Sequence, residues 1–436
     1  MKSIEEIYSI FQKSKLIFTD SRQAKDGGIF FALKGDNFNG NDFAINAIKD
    51  GADYAIVDNP NLSECSGIIV VHNVLTTLQD LANYHRRKLK TPILAITGTN
   101  GKTTTKELTA AVLSKKFKVL ATKGNLNNHI GVPITLLSMT DEHEIGIIEM
   151  GANHPGEIDL LCSIAEPDFG LITNVGKAHL EGFGSLEGVM KTKAELYDFI
   201  SKSGKGIFIN SSNELLAKMV NSNTEKFTYA SNSSNAQLIG EVVNEDLLLT
   251  CRILFPKGWL YVKTNITGAY NLENILAATR VGTYFGVDPL LIKEAIEDYR
   301  PSNSRSQIMK KGSSTLIVDC YNANPSSMTL SLENFFKNGN KLKTVILGEM
   351  LELGESSEAE HQKVVDMIVE KGIEHVFLIG KNFFKVNCPD HFKRFENVEM
   401  LKNKLNTDEL KDRLILVKGS RGNKLEKVLD IFDNFI

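Results

Sequence analysis

Short apolar runs alternate along the chain with stretches whose apolar residues recur at helical spacing, and these two periods predict an α/β protein laid out in three successive series. In the first, Ile29-Phe-Phe-Ala-Leu33, Tyr54-Ala-Ile-Val57 and Ile68-Ile-Val-Val71 read as strands, with helices around 42 to 50 and 74 to 89. Pro92 marks a boundary. A longer series follows, with strands near 93 to 97, 145 to 150, 169 to 174 and 206 to 210 separated by amphipathic helices, which predicts a mostly parallel sheet. From 236 to 265 the pattern becomes extended, with runs at 247 to 254 and 260 to 265, and predicts a β insertion before helix resumes at Asn271. The polar stretch Arg300-Pro-Ser-Asn-Ser304 reads as a linker and a hinge candidate. A third α/β series has strands near 315 to 319, 343 to 348, 375 to 379 and 413 to 417. The expected domains are therefore 1–90, 91–301 and 302–436: a small α/β unit, a central mostly parallel-sheet unit, and a Rossmann-like α/β unit.

Composition narrows the partners. With 436 residues the chain can bury about three cores of ordinary domain size. A net charge of -3, with 24% charged residues, gives no electrostatic reason to expect nucleic acid. No apolar run approaches the roughly 18 residues that a membrane span needs. Cys65, Cys162, Cys251, Cys320 and Cys388 are scattered without close spacing, as in reduced thiols. The expectation is a cytoplasmic protein, without membrane insertion, acting on small molecules.

The richest chemistry lies in Ile93-Leu-Ala-Ile-Thr-Gly-Thr-Asn-Gly-Lys-Thr-Thr-Thr-Lys-Glu107, a buried strand, a glycine turn and a helix start. Backbone N–H groups of Gly98, Thr99, Asn100, Gly101 and Lys102 can wrap a phosphate at a helix N-terminus, with Thr104 in the first turn. Lys102 can reach terminal phosphates and the Thr103 hydroxyl can hold Mg²⁺. The strict P-loop spacing would put a glycine at Ile96; here it is Gly98, so the loop is a shortened variant. ATP or GTP is implied.

Other candidates stand at strand ends, where open α/β sheets receive ligands. Glu149 closes the run Ile145-Gly-Ile-Ile-Glu149 and is placed to hold Mg²⁺, or is simply solvated. His179, in a glycine-flanked loop after 169 to 174, could be a metal ligand, a proton carrier or neither. On the helix from about 185 to 200, Leu186, Val189, Met190, Leu196, Tyr197 and Ile200 mark an apolar face, and Lys193 falls on it. Glu187, Lys191 and Glu195 form a solvated i, i+4 ladder instead. A lysine aimed inward must be paired, neutralised, chemically modified or able to snorkel; near Mg²⁺, carbamylation by CO₂ would make it an anionic ligand. Asn271 and Asn274, one turn apart, could meet a purine edge, and Asn271 could equally cap its helix. Asp319-Cys-Tyr-Asn-Ala-Asn-Pro325 looks like a second ligand edge.

Together these segments resemble the Mur ligases, ATP-dependent amide-forming enzymes of peptidoglycan synthesis. Thr97-Gly-Thr-Asn-Gly-Lys-Thr-Thr is common to that family and to folylpolyglutamate synthases. Asn125-Leu-Asn-Asn-His-Ile-Gly-Val-Pro133, Glu149-Met-Gly-Ala-Asn-His-Pro-Gly-Glu157, Ala178-His-Leu-Glu-Gly-Phe-Gly-Ser-Leu-Glu187, Leu347-Gly-Glu-Met-Leu-Glu-Leu-Gly-Glu355 and Val417-Lys-Gly-Ser-Arg421 are similar to the branch that adds D-alanyl-D-alanine to UDP-N-acetylmuramoyl-tripeptide. Thr19-Asp-Ser-Arg22 and Gly28-Ile-Phe-Phe-Ala-Leu33 look like a UDP-receiving domain.

The resemblance implies three domains, for nucleotide-sugar substrate, ATP and incoming dipeptide; a monomer is the separate expectation, which the sequence leaves open. It implies two Mg²⁺ ions among Thr103, Glu149, His179 and an N-carbamylated Lys193. Asn271 and Asn274 would meet adenine, with Arg305 and Asp319 approaching ATP from the third domain. Ser21, Arg22, Asn127, Asn128, Tyr321, Asn322 and Asn324 would meet the other substrates. Two departures stand out: Asn423-Lys424 follows Arg421-Gly422 where the family continues with methionines, and Cys320 replaces a frequent second acid. A ligase adding a single amino acid, or a non-catalytic nucleotide-binding module, are the alternatives.

Overall fold

The computed structural model describes residues 2–24, 27–232, 235–302, 304–338, 342–405 and 407–434. Three α/β units follow one another, each built on its own sheet.

In the first, β1 (Ile17–Phe18), β2 (Gly28–Phe31), β5 (Ala52–Val57) and β6 (Ile68–Val70) form a parallel sheet in that order, beside a small ribbon of β3 (Lys34–Gly35) and β4 (Phe38–Asn39). Helix α2 (Ala44–Lys49) covers one face; α1 (Ile4–Ser14) and α3 (Val74–Leu89) cover the other. The second face does not end at the domain. Leu78, Leu81 and Ala82 of α3 belong to the same buried cluster as Ile93, Val132, Leu136 and Ile158, so an apolar seam joins the first unit to the second.

The second unit carries β7 (Ile93–Thr97), β8 (Val119–Ala121), β9 (Ile145–Glu149), β10 (Phe169–Ile172), β11 (Gly206–Asn210), β12 (Lys226–Ser231), β13 (Leu238–Asn244), β14 (Thr250–Phe255) and β15 (Gly258–Lys263). Their order is β15-β14-β13-β12-β11-β10-β7-β9-β8, parallel from β8 through to β13 and antiparallel at β14 and β15. The expected β insertion is thus no separate element. It is the antiparallel edge of the main sheet, beginning at Leu238, and 247 to 249 precede the strand rather than start it. Helices α4 (Lys102–Leu113), α10 (Asn271–Tyr284) and α11 (Pro289–Asp298) pack on one face. On the other lie α5 (Gly131–Leu137), α6 (Glu157–Ala165) and α8 (Leu186–Ser203); α7 (Leu180–Phe183) and α9 (Glu214–Lys218) are short.

The third unit orders β16 (Gln307–Lys311), β17 (Ser314–Asp319), β21 (Arg413–Lys418), β18 (Leu342–Gly348), β19 (His375–Ile379) and β20 (Lys393–Phe395), parallel except for β16. Clusters line both faces, with α12 (Pro325–Lys337) and α13 (Ser357–Glu370) on one and α14 (Val398–Lys404) on the other. β8 and β20 escape the sequence reading because each is only three residues long, and β12 and β16 because polar residues break up their apolar ones. Of the hinge candidate at 300 to 304, position 303 lies outside the described residues.

Candidate active site

The carboxyl ends of β7, β9, β10 and β17 converge on one cleft of about 830 Å³, between the second and third units. Its floor is the phosphate-type loop. Gly98 has φ +143° and a Cβ there would lie 2.0 Å from Thr173 Oγ1; Gly101 has φ +77° and a Cβ would lie 2.5 Å from Asn274 Oδ1. Only glycine fits either position. Helix α4 then starts without a side-chain cap, leaving its first N–H groups for an anion.

Neighbouring loops hold this turn. Asn174 Oδ1 accepts from Asn100 N at 3.0 Å, and Thr173 Oγ1 donates to the Asn100 carbonyl at 2.6 Å. Lys102 Nζ folds back to donate to the carbonyls of Gly98 and Thr99 at 2.7 and 3.0 Å. Burial, and secondarily Arg305, push its ammonium down to about 8, against the pull of Glu149. An arriving phosphate would supply the counter-charge that those carbonyls only approximate. Thr103 is buried and Thr104 half-buried in the first turn of α4, both lining the cleft.

Glu149, at the end of β9, is not a solvated carboxylate: it is 1% exposed. Asn127 Nδ2 donates to Oε1 at 2.8 Å, while Oε2 has no hydrogen bond and faces Lys106 Nζ at 3.6 Å. A buried carboxylate oxygen left without a hydrogen-bond donor suits a cation. Lys106, 2% exposed, carries a charge the sequence reading passed over; it sits on the buried side of α4, one turn past Lys102.

Lys193 is 3% exposed, beside Phe183, whose ring centroid lies 5.6 Å from Nζ. It does not snorkel. Lys191 is 77% exposed and pairs with Glu187 at 3.0 Å, as the ladder predicts. Glu195 departs from that ladder: it accepts from Gly156 N and Asp159 N at 2.8 and 2.9 Å, anchoring the start of α6. Burial and then Lys102 push the Lys193 ammonium down to about 7, with Glu157 and Glu195 opposing. An amine so shifted is substantially unprotonated near neutrality, which is the nucleophilic form that CO₂ requires.

His179 caps α7 with φ +49° and contacts Glu352 of the third unit through Nδ1. Burial lowers its pKa most, Glu352 opposes, and Lys102 and Lys193 add to the lowering. Among the described residues no three His, Cys, Asp or Glu side chains group as a ready-made metal site. The donor set still fits a hard cation once Lys193 is carbamylated, since Glu149 Oε2 lacks a hydrogen bond and the Thr103 hydroxyl and His179 line the same cleft.

Asn271 and Asn274 line the cleft, but their amides are engaged within the protein. Asn271 is the first helical residue after the cap Tyr270, not the cap itself; its Nδ2 donates to the Thr267 carbonyl at 2.8 Å. Asn274 Nδ2 donates to Asn271 Oδ1 at 2.7 Å, and its Oδ1 accepts from Thr105 Oγ1 at 3.0 Å, tying α10 to α4. Asn128 likewise spends its Oδ1 on Gly131 N at 2.8 Å, at the start of α5.

The third unit supplies the cleft's other wall. Asp319 Oδ2 accepts from the buried Lys418 Nζ at 2.5 Å. The Arg305 guanidinium lies 3.7 Å from the Tyr321 ring centroid, with Arg421 at 5.3 Å from the same ring. Asn322 Oδ1 accepts from Ala323 N, and Asn324 both caps α12 and donates to Asn100 Oδ1 at 2.8 Å. Ser21 and Arg22 are not among the cleft's lining; Arg22, 87% exposed, pairs with Asp20 at 2.7 Å. Lys106, Thr173, Asn174, Glu352 and Lys418 were not singled out from sequence. A lysine inside the helix after the glycine turn and a lysine ending an apolar strand were available signals for Lys106 and Lys418; Glu352 lies in the family-like segment 347 to 355, but its partner, 173 positions away, left no trace.

Three family models match consecutive parts of the chain: the Mur ligase family catalytic domain over residues 13–94, the Mur ligase middle domain over 96–282 and the Mur ligase glutamate ligase domain over 304–421. The UDP-N-acetylmuramoyl-tripeptide–D-alanyl-D-alanine ligase of Bacillus subtilis (strain 168) is 34% identical over 429 residues, covering 95% of this chain and 92% of its own. A crystal structure of MurF from Acinetobacter baumannii superposes with a TM-score of 0.87 at 28% identity, covering 99% of both chains. MurF ligase from Thermotoga maritima, solved in complex with ADP, gives 0.84 at 25% identity, covering 100% of this chain and 99% of that one. The protein belongs to the Mur ligase family.

Proposed function

We propose that this ATP-dependent, amide-forming ligase joins D-alanyl-D-alanine to UDP-N-acetylmuramoyl-tripeptide, the last step in making the pentapeptide precursor of peptidoglycan, and that it does so in the cytoplasm as a monomer. Among the described residues no helix is long and apolar enough to cross a membrane. The observation that carries the reading is the meeting, in one cleft, of the glycine-turn phosphate cradle with Glu149, Lys193 and His179.

A carboxylate is a poor acyl donor, so ATP transfers its γ-phosphoryl group to the terminal carboxylate of the tripeptide, giving an acyl phosphate and ADP. Lys102, released from its own loop carbonyls, stabilises charge on the transferring oxygens. The free N–H groups of α4 hold the chain of phosphates in place. The amine of the dipeptide then attacks the acyl carbon; phosphate leaves the tetrahedral intermediate and the amine loses a proton. Thr103, Glu149, His179 and a carbamylated Lys193 are the residues that would hold two Mg²⁺ ions. Mg²⁺ would neutralise the phosphate oxygens during transfer.

Asn127 positions the Glu149 carboxylate, and Arg305 stands at the cleft from the third unit, where it would meet phosphate charge. Asn271 and Asn274 fix the wall toward adenine. Ser21 and Arg22 would receive the UDP moiety, and Tyr321, Asn322 and Asn324 lie on the wall toward the dipeptide. We assign the three units to residues 1–90, 91–301 and 302–436. Mass spectrometry after incubation with ATP, Mg²⁺, the dipeptide and either lysine- or diaminopimelate-containing tripeptide should show a pentapeptide product matched by ADP. A product with single amino acids instead of the dipeptide would move the chain to a different acceptor amine, and no product with either tripeptide would sink the reading.

A further inference from the structure

The contact between His179 and Glu352 crosses from the second unit to the third, and its surroundings are built on both sides. Both residues are non-glycine with left-handed backbones, φ +49° and +61°. Such conformations are unfavourable for a residue with a Cβ and persist where surrounding structure imposes them. The Glu352 carbonyl also accepts from Glu181 N at 3.5 Å, so backbone and side chain meet the same loop.

Glu352 is presented by a rigid platform. Met350 and Leu353 on either side are buried in the third unit's core. Met350 N donates to His361 Nε2 at 3.0 Å and Leu351 N to Ser420 Oγ at 3.1 Å, so the chain leading into Glu352 is tied to α13 and to the turn after β21. The loop bearing His179 is tied in turn to the third unit: Lys177 N donates to Ser326 Oγ at 3.2 Å and Lys177 Nζ reaches Glu360 at 3.3 Å.

An ionised carboxylate only accepts, so the imidazole nitrogen that touches it carries the proton, and the second nitrogen is left with its lone pair free for a cation. We propose that Glu352 is the positioning residue for His179: by accepting Nδ1–H it sets tautomer and ring orientation for metal binding at Nε2. Because it arrives on the third unit, the metal site reaches full affinity only when that unit is closed on the second. This rests on the functional reading above, in which His179 binds the divalent cation.

The test is Mn²⁺ binding to the full-length protein with a non-hydrolysable ATP analogue, followed by electron paramagnetic resonance. Glu352→Ala should weaken Mn²⁺ binding about 10-fold or more, with melting temperature and metal-free binding of the analogue unchanged. Glu352→Gln, which keeps an accepting oxygen, should restore part of the affinity. In a His179→Ala background Glu352→Ala should add nothing, as expected of two residues acting as one unit. Equal or tighter Mn²⁺ binding by Glu352→Ala, while the wild type binds, would overturn the role of Glu352 alone; no nucleotide-dependent Mn²⁺ binding by the wild type would overturn the functional reading with it.

Discussion

The second unit meets its two neighbours through different balances of contact, although α3 also reaches it with Arg86 to Asp168 and Arg87 to Glu166, and Leu247 packs on the third unit's core. Toward the first unit it presents an apolar seam, in which α3 lays Leu78, Leu81 and Ala82 into a cluster continuous with β7, α5 and α6. Toward the third it presents side-chain hydrogen bonds and ion pairs: Asn324 to Asn100, Asn334 to Thr267, Lys177 to Glu360, Lys337 to Glu245 and His179 to Glu352. A large hydrophobic interface holds domains together as one body, whereas a polar one is exchanged for water at little cost. The fold therefore places its stability at one boundary and its chemistry at the other. Closure, if it gates turnover, belongs to the third unit.

The seam should fail first and by the largest amount. Leu81 is fully buried, and Leu81→Ala should cost about 2–5 kcal/mol, read in denaturant as joint loss of the first and second units. Separate transitions, with only the first unit destabilised, would mean that the seam is not one core.

The cleft should respond in the other sense. Lys193→Met removes a buried polar amine and leaves an apolar chain of similar length, so stability should hold or rise. Turnover should fall roughly 10²–10³-fold. A melting temperature lowered by several degrees would show that Lys193 serves packing. At the polar boundary, Asn324→Ser keeps a capping hydroxyl for α12 but is too short to reach Asn100. Turnover should drop about 10-fold, equivalent to about 1.4 kcal/mol, with the melting of the third unit unchanged.

These contrasts also separate what was legible in the sequence from what was not. Lys193 was legible because helical spacing is local: its neighbours at i−4 and i+3, Val189 and Leu196, already declare the buried face. The glycine turn was legible because positive φ and a strand before a helix leave a sequence trace. Glu195 was misread because a side chain that anchors a neighbouring helix has the same identity as one that lines a solvated ladder. The stretch from β13 to β15 looked like an insertion because the sheet turns antiparallel at β14 and β15, which changes the pattern without leaving the sheet. Glu352 was beyond reach, since its meaning depends on two loops from different domains arriving at one point.

A smaller and more selective lever on the comparison is acid. His85 lies inside the seam: Nε2 faces the Met139 carbonyl at 2.8 Å, which requires that nitrogen to carry the proton, and Nδ1 accepts from the Tyr8 hydroxyl at 3.2 Å. The ring is thus held neutral, with Phe11 edge-on and 5.2 Å away between centroids. Burial lowers its pKa below the ordinary 6.5, opposed by the Met139 carbonyl. In the unfolded chain His85 binds a proton as pH falls through 6.5, while in the folded chain it does not until lower pH. Its contribution is therefore fully present above 6.5 and is lost below it, at no more than about 1.4 kcal/mol per pH unit. His361, buried in the third unit with its pKa also lowered by burial, produces the same trend there, so the wild-type slope alone does not locate the effect. His85→Gln, whose amide can still donate to Met139, should flatten the decline of the seam's melting between pH 6.5 and 5 while the third unit's decline persists. If both declines are unchanged, the seam owes nothing to a neutral His85, and its coherence rests on α3's apolar residues and on its other polar contacts, such as Arg86 to Asp168 at 2.9 Å.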